Sequence, residues 1–196
     1  MKGLRGRLGM GASRKYNLLK VIGLLMVVSL VAAACGEEES NLTLQPVAAV
    51  TRAEMAVFLI RALEETPVDP LLGTFSDVPA SHFAAGFIER LALLGITAGC
   101  DVGPPLLYCP QGDVTRAEMA VFLVRALEET PVASPTGIFS DVPAGHFAEG
   151  HIERVFELGI TLGCSSDPLL YCPDDPVTRA EMAVFIVRAF NLPVVE

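Results

Sequence analysis

One eight-residue string, Thr-Arg-Ala-Glu-Met-Ala-Val-Phe, occurs three times, beginning at Thr51, Thr115 and Thr178. It carries its own helix start. Threonine at the N-cap accepts a bond from a free backbone N–H, and Glu54, Glu118 and Glu181 fall three residues later to complete a capping box. Val50, Val114 and Val177 precede the caps, and Met55, Met119 and Met182 stand at the fourth helical position, which is the spacing of a hydrophobic staple. Behind the first copy, Met55, Phe58, Leu59, Ala62 and Leu63 form an apolar stripe that needs a covering partner.

The arginine is the odd member. Arg52, Arg116 and Arg179 occupy the first helical position, where the helix dipole favours an acid. A cation placed there beside free N–H groups points to a bound anion. The alternatives are pairing with a carboxylate of a neighbouring copy, or plain solvation.

A second segment alternates with the first. It runs from Gly73 through Phe75-Ser-Asp-Val-Pro to Thr97 and recurs from Phe139 to Ile160. Phe83, Phe87, Ile88, Leu91 and Leu94 mark an amphipathic helix, with Ser81 as its expected N-cap and Gly95 as a left-handed C-cap. Gly159 is the equivalent cap in the second copy. The period is 64 residues from Thr51 to Thr115 and 63 from Thr115 to Thr178. Units with two one-sided helices cannot bury both alone and must pack on one another. Five helices and no convincing strand predict an all-α domain of about 145 residues, enough for one shared core. The first helix is expected over Arg52–Glu64, closed by Pro67 and Pro70.

The first 34 residues read as a targeting segment. Six bases without an acid lead into Val21–Ala34, an apolar or small run of 14 residues, too short for a comfortable membrane span. It ends Val31-Ala-Ala-Ala-Cys35, which resembles the lipobox of bacterial lipoproteins, although Ala32 stands where leucine is preferred. The resemblance implies lipidation of Cys35, hence a membrane anchor and an exported, cell-envelope location. Ordinary signal cleavage and a retained anchor are the other options.

Without the leader, 8 basic residues face 23 acidic ones, a net charge near −15. This argues against nucleic acid as a partner. No lysine remains, and all eight arginines lie at repeat-equivalent positions. Cys100 and Cys109 bracket one loop, and Cys164 and Cys172 the corresponding one. In an exported chain these predict the disulfides Cys100–Cys109 and Cys164–Cys172. A four-thiolate zinc site is disfavoured because neither loop has Cys-x-x-Cys spacing.

No catalytic, cofactor or metal site is expected. Ser81-His82 has no repeated nucleophile, since Gly145 replaces Ser81. His82 and His146 are read as structural, and His151 as half buried in place of Phe87. Asp174-Asp175 lacks the alternating ligands of a calcium loop. Asp77 and Asp141 are expected to bond nearby backbone in a turn.

Taken in order, Phe75-Ser-Asp-Val-Pro, His82-Phe83-Ala84, Ile88-Glu89, Gly95-Ile96-Thr97-x-Gly99 and Val114-Thr-Arg-Ala-Glu-Met resemble an S-layer homology repeat. The second copy carries Phe139-Ser-Asp-Val-Pro, His146-Phe147-Ala148, Ile152-Glu153, Gly159-Ile160-Thr161-x-Gly163 and Val177-Thr-Arg-Ala-Glu. The resemblance implies a helical bundle of repeated helix-loop-helix units, pseudo-threefold, with the first repeat incomplete. It divides the chain into a signal peptide (1–34), a tether (35–49), a partial repeat (50–68) and two repeats (73–132 and 137–194). It implies a non-catalytic cell-envelope attachment module that binds anionic, often pyruvylated, cell-wall polysaccharide.

Carried over by position, Arg52, Arg116 and Arg179 contact the polymer, with Thr115 and Thr178 beside them. Gly95, Gly99, Gly159 and Gly163 let the sugar approach. Because residues 36–49 lack the first half-repeat, Arg52 is expected to be the least secure site. Phenylalanine in place of the tryptophan common after the histidine removes a sugar-stacking surface. The competing reading is a protein-interaction or self-assembly module, a homo-oligomer or one completed by another chain.

Overall fold

The computed structural model describes residues 45–194. The expected leader, the expected lipidation of Cys35 and the tether up to residue 44 lie outside the described residues. Thr51, Thr115 and Thr178 are the N-caps of three helices: α1 (Arg52–Ala62), α3 (Arg116–Ala126) and α5 (Arg179–Phe190). All three capping boxes are closed. Between them lie α2 (Ala85–Leu93) and α4 (Glu149–Glu157). α2 packs on α1, α4 packs on α3, and α1 also meets α5. No described helix is long and apolar enough to cross a membrane.

The residues just before the caps join the units. Val50 N–H donates to Val177 O (2.9 Å), Val177 N–H to Val114 O (2.8 Å), and Val114 N–H to Val50 O (2.9 Å). These bonds close a ring of three, and all three valines are fully buried. Around it Met55, Leu59, Met119, Leu123 and Met182 form the core, joined by Ile88, Leu91 and Ile152 from the intervening helices.

A second ring serves the helix starts. Arg52 and Ala53 donate their N–H groups to Gly112 O and Pro110 O, and Arg116 and Ala117 to Asp175 O and Pro173 O. Arg179 and Ala180 donate to Ala48 O and Pro46 O. Each helix thus has its first two orphan donors satisfied by a loop of another unit. The end of the expected tether, residues 46–48, is therefore built into the bundle at the start of α5.

Four local expectations change. Helix α1 stops at Ala62, not Glu64, whose φ of 57° is left-handed and ends the helix. Ser81 does not cap α2, which begins four residues later with no side-chain cap. Instead, His82 Nδ1 accepts the Ala84 N–H at 3.2 Å, and His146 does the same for Ala148. That leaves Phe83 ahead of the helix and exposed, outside the apolar stripe, and Leu94 at its C-cap is exposed as well. A two-residue hairpin, β1 (Ser165–Ser166) with β2 (Leu169–Leu170), lies within the second cysteine loop. Gly95 and Gly159 do adopt the left-handed cap, both with φ of 69°. Ile96 and Ile160 N–H then bond back to Leu91 O and Val155 O.

Candidate functional site

Both cysteine pairs form disulfides, Cys100–Cys109 and Cys164–Cys172. Asp77 and Asp141 do not bond local turns. They reach about thirty residues along the chain to these loops, where Asp77 accepts the N–H groups of Tyr108 (2.8 Å) and Cys109 (2.7 Å). Asp141 accepts those of Tyr171 and Cys172 in the same way. Asp141 also comes close to the sulfurs of Cys164 and Cys172. Those sulfurs are bonded to each other and are not thiolate ligands.

The loops are held so that their tyrosines cover the arginines. Arg52 Nε donates to Tyr108 O at 2.8 Å, and Tyr108 Oη donates back to Arg52 O at 2.8 Å. The guanidinium lies 5.2 Å from the Tyr108 ring and 5.5 Å from Phe122, within cation–π range. Arg116 repeats this with Tyr171 and Phe185. Burial pushes both tyrosine hydroxyls well above their usual range. The repeated Leu-Leu-Tyr-Cys-Pro at 106–110 and 169–173 was the sequence signal for these tyrosines, which the repeat reading above passes over.

Each arginine also meets the capping glutamate of another unit. Arg52 Nη1 pairs with Glu118 Oε1 at 2.6 Å, Arg116 with Glu181 at 2.6 Å, and Arg179 with Glu54 at 2.5 Å. The other carboxylate oxygen of each glutamate accepts the N–H of its own threonine cap. Six charges therefore alternate around a closed ring. Burial raises the Glu54 carboxyl, but the Thr51 N–H and Arg179 outweigh it and hold the group below its usual range. Glu181 is lowered in the same way by Thr178 and Arg116 against burial.

This geometry shows what the arginines and the helix starts meet within the fold. The N–H groups at the three helix starts are not free, because loop carbonyls and the threonine hydroxyls take them. The cation at each first helical position pairs with a carboxylate of another unit. The side chains of Arg52 and Arg116 are 4% exposed, against 42% for Arg179. Arg179 is therefore the one of the three that differs in exposure. The reason is local: loops 100–109 and 164–172 cover the first two, while among the described residues the Arg179 side chain meets Glu54 and the Phe58 ring and has no such loop over it. Arg116 Nη2 is buried with no hydrogen-bond partner.

The four glycines also divide. A Cβ on Gly99 would lie 2.3 Å from Leu107 O, and one on Gly163 would lie 2.4 Å from Leu170 O. The close approach there is made by the cysteine loop of the same repeat. Gly95 and Gly159 face open space. Burial and then Arg125 lower the pKa of the half-buried His151 on α4.

No family model matches the chain. It is 33% identical over 121 residues to a cell surface protein of Thermoanaerobacter kivui, covering 60% of this chain and 15% of that protein. It is 40% identical over 67 residues to the S-layer protein EA1 of Bacillus anthracis, covering 34% of this chain and 8% of that protein. A cellulosome-anchoring protein of Acetivibrio thermocellus is 31% identical over 113 residues, covering 54% of this chain and 24% of that protein. The chain thus spans less than a quarter of the length of each of these relatives.

Proposed function

Because the chain is a member of the S-layer homology family, we propose that it is a non-catalytic module attaching to the cell envelope through anionic cell-wall polysaccharide. The two rings of bonds support reading the bundle as pseudo-threefold, built from one partial and two complete repeats. Cell surface, S-layer and cellulosome-anchoring proteins among its relatives support the location. A lipid on Cys35 would add a membrane tether, with residues 1–34 removed as the signal.

The observation that carries the glycan reading is the exposure of Arg179. Its guanidinium makes one ion pair, to Glu54, and its other N–H groups bond to no described residue. A planar fork of this kind suits bidentate capture of a carboxylate, such as a pyruvyl group on a sugar. A chain near −15 repels an anionic polymer at range, but salt screens this beyond about 8 Å, so the contact is local. Thr178 lies beside it, and Gly95 and Gly159 offer unobstructed backbone. Arg52 and Arg116, with Thr115, hold the ring together.

The test is pull-down on purified sacculi with and without pyruvyl groups. Arg179→Ala is expected to weaken retention at least tenfold and leave the helical circular dichroism unchanged. Retention unaffected by both Arg179→Ala and removal of pyruvyl groups would overturn the reading.

A further inference from the structure

Residues 68–109 and 132–172 follow the same path. The bonds Val68–Gly86, Asp77–Tyr108 and Cys100–Leu107 recur as Val132–Gly150, Asp141–Tyr171 and Cys164–Leu170, so the two segments compare position by position. Some large apolar side chains are exposed in both, Phe83 with Phe147 and Leu94 with Leu158. Four others are exposed in the first segment alone. Leu71, Leu72, Leu93 and Val102 are 56–78% exposed, and the second segment has Pro135, Thr136, Glu157 and Ser166 at those places. The fold therefore does not require apolar side chains there. Two exposed acids diverge with them: Asp69 and Asp101 stand where the second segment has Ala133 and Ser165.

The six positions lie along one strip. Asp69 caps the turn Pro70–Leu72 by accepting the Leu71 N–H. The chain then passes between α2 and the first disulfide loop. On one side Thr74 N–H donates to Glu89 at 2.8 Å, and Leu93 stands one helical turn beyond Glu89. On the other, Ser76 N–H donates to Leu106 O and Leu107 N–H to Asp101 O, both at 3.0 Å, which sets Asp101 and Val102 across the loop. Four exposed apolar side chains thus have an acid at either end. None of the six belongs to the ring of arginines and glutamates.

The charge of the strip selects what covers it. The described residues include no lysine, and their arginines are already engaged. Arg52, Arg116 and Arg179 serve the ring, and Arg90 and Arg154 pair with Glu65 and Glu157. Arg125 and Arg188 donate to turn carbonyls, and Arg61 lies over the Phe87 ring. A second molecule of this chain would bring acids to acids, and an anionic glycan or lipid headgroup is repelled from the strip in the same way. We propose that the strip docks a basic amphipathic helix of another protein. Apolar side chains on one face of that helix lie over Leu71, Leu72, Leu93 and Val102, and lysine or arginine at the two ends of the face meets Asp69 and Asp101. The apolar contact supplies the affinity, and the acids choose the partner. The inference goes beyond polysaccharide attachment and does not depend on it.

The probe is a fluorescently labelled helical peptide of about 18 residues, leucine on one face and lysine on the other, titrated with the full chain and read by anisotropy. Saturable one-to-one binding is expected. It should weaken at least tenfold in the variant Leu72→Thr/Leu93→Glu/Val102→Ser and several-fold in Asp69→Ala/Asp101→Ser. Each replacement is the residue that the second segment already holds, so the fold accommodates it, and unchanged circular dichroism checks this. The same peptide with glutamate in place of lysine should not bind. Sacculus retention should stay unchanged in both variants, so failure here and failure of the glycan reading are distinguishable. Absence of binding, binding indifferent to the first variant, equal binding of the glutamate peptide, or a chain that instead dimerises through this strip in sedimentation would each overturn the proposal.

Discussion

Arg52 Nη1 stands 2.6 Å from Glu118 Oε1, while Oε2 of that glutamate accepts the Thr115 N–H at 3.1 Å. One carboxylate therefore caps its own helix and holds the arginine of another. Helix initiation and assembly of the units are coupled through a single side chain, three times around the ring. Nothing like this follows from a capping box in isolation, whose glutamate needs only its own N-cap.

Arg116→Ala is expected to destabilise the fold by about 3 kcal/mol. Removing one partner of a buried pair costs roughly 3–5 kcal/mol, and the low end applies because Glu181 keeps 39% side-chain exposure. Arg179→Ala is expected to cost at most about 1 kcal/mol, as for an exposed pair. Urea denaturation of the two variants measures the difference. Equal losses would contradict the asymmetric burial.

The number and order of the described helices were legible in the sequence because their signals are local: a threonine cap and a glutamate three residues on for α1, α3 and α5, and a glycine after the last apolar residue for α2 and α4. The disulfides were legible for the same reason. What Arg52 and Arg116 do was not, because the answer depends on Glu118, Tyr108, Glu181 and Tyr171, at least 55 residues away in sequence. Asp77 was misread for a related reason. Aspartate before Val-Pro is a turn signal, and no local pattern reveals a carboxylate reaching Tyr108 and Cys109. Ser81 failed as a cap because the His82 imidazole took the donor of Ala84 and the helix began later.

Acid is expected to loosen the ring. The Glu54 and Glu181 carboxyls are held below their ordinary value of 4.5 in the fold, and Glu153 is lowered by the N–H groups of Thr136, Ile138 and Gly137 despite its burial. Groups with depressed folded values bind more protons when unfolded, so their stabilisation is complete above the unfolded value and is lost as pH falls through the folded one. The melting temperature should therefore hold steady down to about pH 5 and fall below that. Glu54→Gln should reduce the steepness of the fall.

Opening either disulfide is expected to cost about 2.6 kcal/mol on the chain-entropy model. Replacing Cys100 and Cys109 together by serine also loosens the loop that places Tyr108 over Arg52. That pair should therefore lose more than the entropy figure, and a fall no greater than it in urea titration would show that Asp77 alone holds the loop.

The glycines of the two Gly-Ile-Thr turns separate backbone strain from crowding. Gly95→Ala meets nothing within 4 Å and has only its left-handed φ of 69° to oppose it, so about 1–2 kcal/mol is expected. Gly99→Ala adds to a φ of 101° a Cβ that would sit 2.3 Å from Leu107 O and 2.9 Å from the Phe75 ring. The neighbour at the shorter distance is backbone, closed by the disulfide and by the Cys100 N–H bond to that same Leu107 carbonyl, and it cannot swing aside as a side chain does. Gly99→Ala should thus cost at least about 2 kcal/mol more, in the range of an overpacked core. Thermal melts of the two variants decide the matter. A similar melting temperature for both would mean that the loop is free to move away from the turn, and that Tyr108 does not hold Arg52 as tightly as the bonds between them imply.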